Sequence, residues 1–308
     1  MPMKKFINDP ANLTKELLEG LVGCYCDTLA LVNEKIVVRK TPKAADKVAL
    51  VAFGGSEHEP AMHGFVGEGM LDACVAGDIF AAPGGEKVFE ALDYVKRDAG
   101  TLLITLNHNG DRMSGSKAMR KAQKAGLKVV EIVIHDDIAQ GPDTPIEDKR
   151  GLGGVIPFIK VIGAAAEAGK SLDEIVALAN AFNDGIATLS VALKTATHPQ
   201  NGGEIGSLAD DEMEIGMGQH GEGGGGISKM CTADETVEKM LPPLVKATKL
   251  AAGDKALLLI NGSGATTTME MLICYRKAKQ MLEAMGVTVL PGKPFRNNGG
   301  KSYESNSE

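Results

Sequence analysis

The sequence predicts an α/β protein of two domains: an N-terminal, mostly parallel sheet sandwiched by helices, and a smaller C-terminal α/β (α+β) domain. Short, β-rich apolar runs alternate with helical stretches, which is typical of a parallel sheet covered on both faces. With 308 residues, 44% of them hydrophobic, the chain can bury two modest cores. The predicted boundaries are residues 1–185 and 186–293 for the domains and 294–308 for a disordered tail.

The first domain opens with an amphipathic helix, because leucines recur at helical spacing from Asn12 to Leu21 after an Asp-Pro stop. The runs predicted to be its strands are Lys47–Phe53, Asp78–Ala82, Thr101–Asn107 and Leu127–His135. The helices predicted between and after them are Glu86–Arg97, Ser114–Ala125 and Ser171–Asn183.

The second domain has the same kinds of element. Its predicted strands are Glu212–Met217, Lys255–Ile260 and Val287–Leu290, and its predicted helices are Asp234–Lys249 and Thr266–Ala284. Pro242 and Pro243 lie inside the first of these helices. Because proline removes a backbone donor and clashes with the preceding turn, the pair is expected to end or kink that helix.

Charge and composition narrow the partners of the protein. The net charge of −7 and the lack of clustered Lys and Arg argue against a nucleic-acid surface. No apolar run approaches the roughly 20 residues that span a bilayer, and the first ten residues lack the apolar core of a leader. We therefore expect a cytoplasmic protein whose partners are small molecules or proteins, with no nucleic acid and no membrane.

The cysteines carry little functional signal. Five cysteines in a chain of this length do not form a disulfide framework, and Cys24 and Cys26 have no second Cys or His pair nearby to complete a zinc site. Inert thiols are favoured, and no metal site is predicted.

Three polar loops follow predicted strands, where parallel sheets bind their ligands. They are residues 54–60, 107–111 and 261–267. In the first, paired glycines allow close backbone approach to a ligand and His58 offers an imidazole, but a tight turn with a solvated histidine fits equally well. In the second, Asp111 follows a glycine and could face a substrate hydroxyl, although an Asx-turn is favoured on the residues alone. The third resembles an anion-binding nest, and a helix N-cap cluster is favoured there.

The segment Gly216–Gly221 has the spacing of the dinucleotide pattern G-x-G-x-x-G. Glu222 and four consecutive glycines follow it and cannot open the helix that this pattern requires, so we reject a dinucleotide site. No Walker sequence is present either. Within this segment His220 lies between the acidic residues Glu214 and Glu222. A functional role for His220 is favoured, since a histidine among glycines has no core to pack into.

At this point the sequence resembles the K-type, substrate-binding subunits of dihydroxyacetone kinases. The resemblance extends from Lys4 to about Met285. The motifs that carry it are Gly54–Pro60, Gly67–Met70, Gly77–Phe80, Asn109–Asp111, Arg150–Gly151, Gly163–Ala166 and Asp211–Gly221.

The resemblance implies a homodimer of two-domain subunits, with no nucleotide or other cofactor bound by this chain. His220 matches the histidine that forms a reversible hemiaminal with the ketone of dihydroxyacetone. Asp111 matches the general base for the terminal hydroxyl, and His58 the residue that assists it. Gly55, Ser56, Glu57, His58 and Asp111 are then the expected substrate-binding residues. An L-type kinase subunit would supply the phosphoryl group from Mg·ATP or from an ADP recharged by a phosphotransferase system.

Three departures from the family pattern qualify these expectations. Glu57 stands where the family has glycine, and Leu106 replaces a lysine that commonly contacts substrate, so a four-carbon ketose such as erythrulose competes with dihydroxyacetone as substrate. Beyond Val289 the family continues for several strands while this sequence turns polar, which predicts a truncated or divergent C-terminus and an incomplete second sheet.

Two other functions remain open at this point. Some relatives bind ketose through the same histidine but serve a transcriptional co-activator and transfer no phosphate. A degenerate fragment without function is the third hypothesis. Retention of Asp111 and His58 favours the kinase subunit.

Overall fold

The computed structural model describes residues 5–291, so the predicted tail 294–308 lies outside the described residues. The chain forms two compact units. The first, which we call the sheet unit, runs to Ile134 and includes Val155–Ala181. The second, the histidine unit, comprises His135–Gly154 and continues from Phe182. The segment His135–Gly154 is thus grouped with the second unit, whereas the predicted boundary after residue 185 assigns it to the first domain.

The sheet unit carries the alternating elements that the sequence predicts. Its strands are β1 (Leu29–Val32), β2 (Ile36–Arg39), β3 (Ala49–Ser56), β4 (Ala73–Ile79), β5 (Thr101–Leu106) and β6 (Val129–Ile134). The helices that begin in it are α1 (Leu13–Cys24), α2 (Gly85–Val95), α3 (Asn109–Lys124), α4 (Val155–Glu167) and α5 (Leu172–Asp184).

Its strands form one sheet in the order β1-β2-β4-β3-β5-β6. β4, β3, β5 and β6 are parallel, and β1 and β2 add an antiparallel hairpin at one edge. Because parallel strands end at the same side of a sheet, the loops that follow β4, β3 and β5 are neighbours there. The predicted mostly parallel sheet is confirmed.

Helices cover both faces of this sheet. Val51 and Phe53 of β3 belong to one core cluster together with residues of α2 and α3. Leu50, Leu102 and Ile104 are fully buried, and since side chains alternate along a strand they face the opposite side. Helix α4, which is strongly apolar, contacts β3. Burial of each large apolar side chain stabilises the fold by about 1.5–3 kcal/mol. Because both faces of the sheet are covered, nearly every position in these strands is apolar.

The histidine unit is built from shorter elements. Its strands are β7 (Val191–Ala192), β8 (Ala196–Thr197), β9 (Glu204–Ile205), β10 (Glu212–Ile215), β11 (Ile227–Lys229), β12 (Lys255–Ala256) and β13 (Thr288–Val289), and its helices are α6 (Ala233–Thr248) and α7 (Thr268–Ala284). β11, β10 and β7 form an antiparallel sheet, β8 and β9 a hairpin, and β12 and β13 a parallel pair. The predicted smaller α+β domain is confirmed.

The proline pair does not end helix α6, so of the two expected effects, an end or a kink, the end is wrong. The helix continues through Pro242 and Pro243 to Thr248. Val237 and Leu241 on α6 pack in one core cluster with Ala278 and Leu282 on α7. A capping box between Thr232 and Glu235 fixes the start of α6, so packing and capping offset the backbone bonds that proline removes.

The predicted strand Asp78–Ala82 is wrong in position. The strand is β4, Ala73–Ile79, whose buried residues pair with β3. Phe80 has φ +54°, a left-handed conformation that turns the chain out of the sheet. The hairpin β1–β2 and helix α4 were not predicted from the sequence.

The lengths of the helices and the state of the cysteines bear on membrane spans and disulfides. No helix in residues 5–291 is long and apolar enough to span a membrane. The cysteines of this part of the chain are free thiols, and burial raises the pKa of the Cys74 thiol.

A buried histidine makes the stability of the fold sensitive to acid. His63 is 2% exposed, and burial lowers its pKa to about 4. Its Nε2 lies 3.7 Å from Glu59 Oε1, beyond hydrogen-bond distance. In the unfolded chain His63 regains an ordinary pKa near 6.5 and binds a proton that the folded protein excludes.

We predict that the free energy of unfolding falls as the pH drops from about 6.5 to 4, by up to about 3 kcal/mol from this residue. The His63→Asn variant should lose this part of the pH dependence. Urea unfolding of both proteins between pH 7 and 4 measures it. Parallel stability curves for the two proteins would contradict the assignment.

Candidate functional site

The end of β3 and the loop that follows it carry four of the predicted site residues. Ser56 is fully buried and its Oγ donates a 2.8 Å hydrogen bond to the carbonyl of Gly77. Gly55 has no room for a side chain, because a Cβ there would lie 2.9 Å from the backbone nitrogen of Ala81. The end of β3 and the loop after β4 are therefore packed backbone to backbone, and glycine is required for that approach.

Glu57 and His58 follow at the rim of this loop. Glu57 is exposed, its backbone N–H donates to Glu59 Oε1 at 2.9 Å, and its φ is +77°. His58 is half-buried, with its ring centroid 5.6 Å from that of Phe80. The backbone at Glu57 thus keeps the left-handed conformation that favours glycine, the residue expected there from the family pattern.

Asp111 lies in the first turn of α3 rather than in a loop, because the helix begins at Asn109, five residues before the predicted start. Asp111 is 7% exposed. A helix N-terminus presents backbone amides and the positive end of the helix dipole, so it favours an anion at this position. Leu106, at the end of β5, is 8% exposed. The sheet therefore brings Asp111 and the segment Gly55–His58 to the same edge, at the ends of the adjacent strands β5 and β3.

His220 lies in the histidine unit, in the turn between β10 and β11. The turn is held by its own backbone: the N–H of Gly218 donates to the carbonyl of Glu222 at 2.7 Å, and that of Gly225 to Ile215 at 2.7 Å. Gly221 has φ +81°. The segment leads into strand β11 rather than a helix, in agreement with the rejection of a dinucleotide site.

Glu222 is bonded to His220 twice. Its Oε1 is 2.9 Å from Nδ1 of the ring, and its Oε2 accepts from the His220 backbone N–H at 3.0 Å. Burial by itself raises the pKa of Glu222, but hydrogen bonds and the charge of His220 outweigh it and lower that pKa to about 2. An ionised carboxylate only accepts hydrogen bonds, so Nδ1 is the donor.

The tautomer of His220 follows from this bond. When Nδ1 carries the proton of a neutral imidazole, the lone pair resides on Nε2. The side chain of His220 is 28% exposed, so the ring is accessible. The arrangement can serve as an oriented nitrogen nucleophile, because the Glu222 carboxylate fixes the ring and the position of its proton.

The third polar loop, residues 261–267, ends in the cap of a helix. Thr267 is the N-cap of α7 and forms a capping box with Glu270. The N-cap interpretation of this loop is confirmed.

Most of the chain, residues 19–292, matches the Dak1 domain family. The chain belongs to that family. It is 39% identical over 287 residues to the PTS-dependent dihydroxyacetone kinase 1, dihydroxyacetone-binding subunit DhaK, of Listeria innocua, which covers 93% of this chain and 87% of that protein. The resemblance inferred from the motifs is thereby confirmed.

Solved structures agree with this Dak1 assignment. The dihydroxyacetone kinase operon co-activator Dha-DhaQ superposes with a TM-score of 0.84 at 32% identity, covering 89% of this chain and 85% of that one. The dihydroxyacetone kinase of C. freundii superposes with a TM-score of 0.82 at 31% identity, covering 92% of this chain and 52% of that one. One of these neighbours is thus named a kinase and the other a co-activator.

Two residues that contact His220 or its turn in this Dak1 chain were not predicted from the sequence. Glu222 was noted only as a flanking charge, and Arg150 only as part of a family motif. The signal for Glu222 was its spacing, because a carboxylate two residues after a histidine in a tight turn can reach Nδ1. Arg150 is 70 residues away from His220 in sequence, and no local pattern points to it.

Glu57 gives a stability prediction for this Dak1 domain. A non-glycine residue in the left-handed region costs about 1–2 kcal/mol, part of which glycine loses again through the entropy of the unfolded chain. Glu57→Gly should therefore raise the free energy of unfolding by up to about 1 kcal/mol. Glu57→Ala removes the same carboxylate but keeps Cβ and should give no gain. Equal stabilities of the two variants in urea unfolding would refute the strain.

Proposed function

We propose that this chain is the ketose-binding subunit of a dihydroxyacetone-type kinase, which holds the ketose as a hemiaminal on His220. The observation that carries the proposal is the Nδ1–Glu222 hydrogen bond, which places the lone pair of the neutral ring on Nε2. The dihydroxyacetone-binding subunit of Listeria innocua supports the substrate class. Dihydroxyacetone and the four-carbon ketose erythrulose are the candidate substrates.

In the proposed addition, the Nε2 lone pair forms a bond to the carbonyl carbon and the C=O π electrons move to oxygen. The alkoxide gains a proton and the cationic ring loses the one on Nδ1, so the net change is transfer of a proton from nitrogen to the new hydroxyl. Glu222, which accepts from Nδ1, stabilises the positive charge that the ring develops. A polyol such as glycerol has no carbonyl carbon to attack and is excluded by this chemistry.

Asp111 and His58 are assigned to the phosphoryl-transfer step on the same ketose. Asp111 is proposed as the general base that takes the proton of the terminal hydroxyl, and His58 as the residue that assists it. Gly55, Ser56 and Glu57 are proposed to bind the sugar at the rim of the β3 loop. The buried Ser56 hydroxyl already donates to Gly77, so it would meet the ketose through its acceptor lone pairs.

The phosphoryl donor and the assembly belong to the same proposal. No Walker sequence occurs in the chain, and Mg·ATP or ADP is assigned to an L-type partner subunit. We also propose that the protein forms a homodimer and that it is located in the cytoplasm.

A ketose sensor without kinase activity is the second candidate. The similarity to the co-activator Dha-DhaQ, at a TM-score of 0.84, supports it. The retained carboxylate of Asp111 and imidazole of His58 favour the kinase, because binding alone requires neither.

Two variants separate capture of the ketose from its turnover. His220→Ala should abolish binding of dihydroxyacetone and erythrulose in calorimetry, because no nucleophile remains. Asp111→Asn should bind ketose with near-normal affinity but lower kcat by about 10²–10⁴, measured with an L-type subunit and Mg·ATP. His198→Ala, in the β8–β9 hairpin of the same unit, is the matched control and should behave as wild type.

The possible results discriminate between the candidates. Unchanged ketose affinity of His220→Ala would rule out the covalent mechanism. Normal ketose binding by the wild-type protein without turnover, in the presence of a competent partner, would support the sensor.

A further inference from the structure

Arg150 contacts the His220 turn from a distant part of the sequence. Its Nη2 donates a 2.6 Å hydrogen bond to the carbonyl of Gly216, and its Nη1 donates to the carbonyl of Glu222 at 3.3 Å. These carbonyls lie on either side of His220. One guanidinium thus bridges both ends of the segment that carries the histidine.

Asp137 fixes the guanidinium in turn. Its Oδ2 accepts from Nε of Arg150 at 2.6 Å, and its backbone N–H donates to the Arg150 carbonyl at 3.0 Å. The Asp137 side chain is 2% exposed and that of Arg150 17% exposed. In such surroundings a charge-assisted pair is strong and loss of one partner is costly.

The segment that carries both residues is itself braced. Asp136 is fully buried and its carboxylate accepts from the N–H of Leu152, the N–H of Gly154 and the hydroxyl of Thr188. Arg150 therefore projects from a rigid base rather than from a loose loop. This is the kind of outer support that holds a reactive side chain in one orientation.

Charge balance gives Asp137 a second role. Arg150 and Glu222 have opposite charges, and a Cβ at Gly218 would overlap both the Glu222 carboxylate and Nη1 of Arg150. Asp137, bound to Nε, balances the positive charge of the guanidinium, while Nη1 and Nη2 each donate to a backbone carbonyl. The Glu222 carboxylate then remains available to Nδ1 of His220.

We infer that Arg150, anchored by Asp137, is a positioning residue for ketose capture: it holds the 216–222 turn so that Glu222 meets His220 Nδ1. This inference rests on the proposed function of His220 and extends it to a residue that does not touch the ketose. The planar fork of arginine is essential to it, because a lysine ammonium cannot bridge the same acceptors with fixed geometry.

The test uses the full chain with Arg150→Lys, which keeps the charge, and Asp137→Asn, which frees the guanidinium to compete for Glu222. Both variants should raise the dissociation constant and KM for ketose by about tenfold or more, as expected for loss of charged hydrogen bonds. The kcat at saturating ketose should stay within about threefold of wild type, because the bound ketose reacts as before. Arg276→Lys, which alters an exposed pair with Asp234 in the same unit, is the matched control.

A spectroscopic readout separates positioning from mere stability. Long-range ¹H–¹⁵N correlation spectra of the histidine rings should show the Nδ1–H tautomer of His220 in wild type and Arg276→Lys, and its partial loss in the other two variants. If Arg150→Lys lowers the melting temperature but leaves the tautomer and the ketose affinity unchanged, Arg150 is only structural and the inference is overturned. In Arg150→Ala, added guanidinium should restore ketose binding and methylammonium should not.

His220→Ala in the same panel tells the two proposals apart. Lost ketose binding in His220→Ala together with wild-type behaviour of Arg150→Lys overturns the inference alone. Retained binding in His220→Ala overturns the proposed function, and the inference with it.

Discussion

The hydrogen bond from His220 Nδ1 to the Glu222 carboxylate is the interaction on which the functional account depends. An imidazole has two equivalent candidates for the nucleophilic nitrogen until one of them is committed to a proton and a partner. The ionised carboxylate makes that choice here, 2.9 Å from Nδ1. The ring then has a defined orientation and a defined lone pair before any ketose arrives, which lowers the entropy cost of the addition.

The turn around His220 and the Arg150–Asp137 pair support this bond. The turn around His220 folds tightly enough for a carboxylate two residues later to reach back to the ring, which requires Gly221 in the left-handed region and no side chain at Gly218. Arg150, held by Asp137, donates a hydrogen bond to the Gly216 carbonyl of this turn. The glycines that look like a flexible linker in the sequence therefore form a constrained turn, and their role is to admit close contacts rather than to provide motion.

The sequence predicted those helices and strands that depend mainly on the residue pattern within the element itself. Apolar runs such as Lys47–Phe53 are strands because both faces of the sheet are covered, and periodic leucines before Cys24 mark α1. Prediction failed where tertiary contacts decide the outcome. Packing against α7 carries α6 through its prolines, and the left-handed Phe80 ends β4 earlier than its composition implies.

The same division holds for the candidate site. His220 was singled out from the residues because a histidine surrounded by glycines lacks a structural reason to be there. His58 and Asp111 follow strands of the parallel sheet, but the residues alone gave His58 even odds and favoured an Asx-turn for Asp111, so their proposed roles come from the family resemblance. Arg150 was not identifiable, since its link to the turn is a contact between segments that only the folded chain brings together.

The covalent bond between the ketose and His220 can be measured directly by NMR of protein labelled with ¹⁵N in its histidine rings and mixed with dihydroxyacetone labelled with ¹³C at the carbonyl carbon. This carbon should move from the carbonyl to the tetrahedral region and show a one-bond coupling to Nε2 of His220. A bound ketose whose carbonyl carbon keeps its free-ketone shift, or couples to Nδ1 instead, would contradict this mechanism.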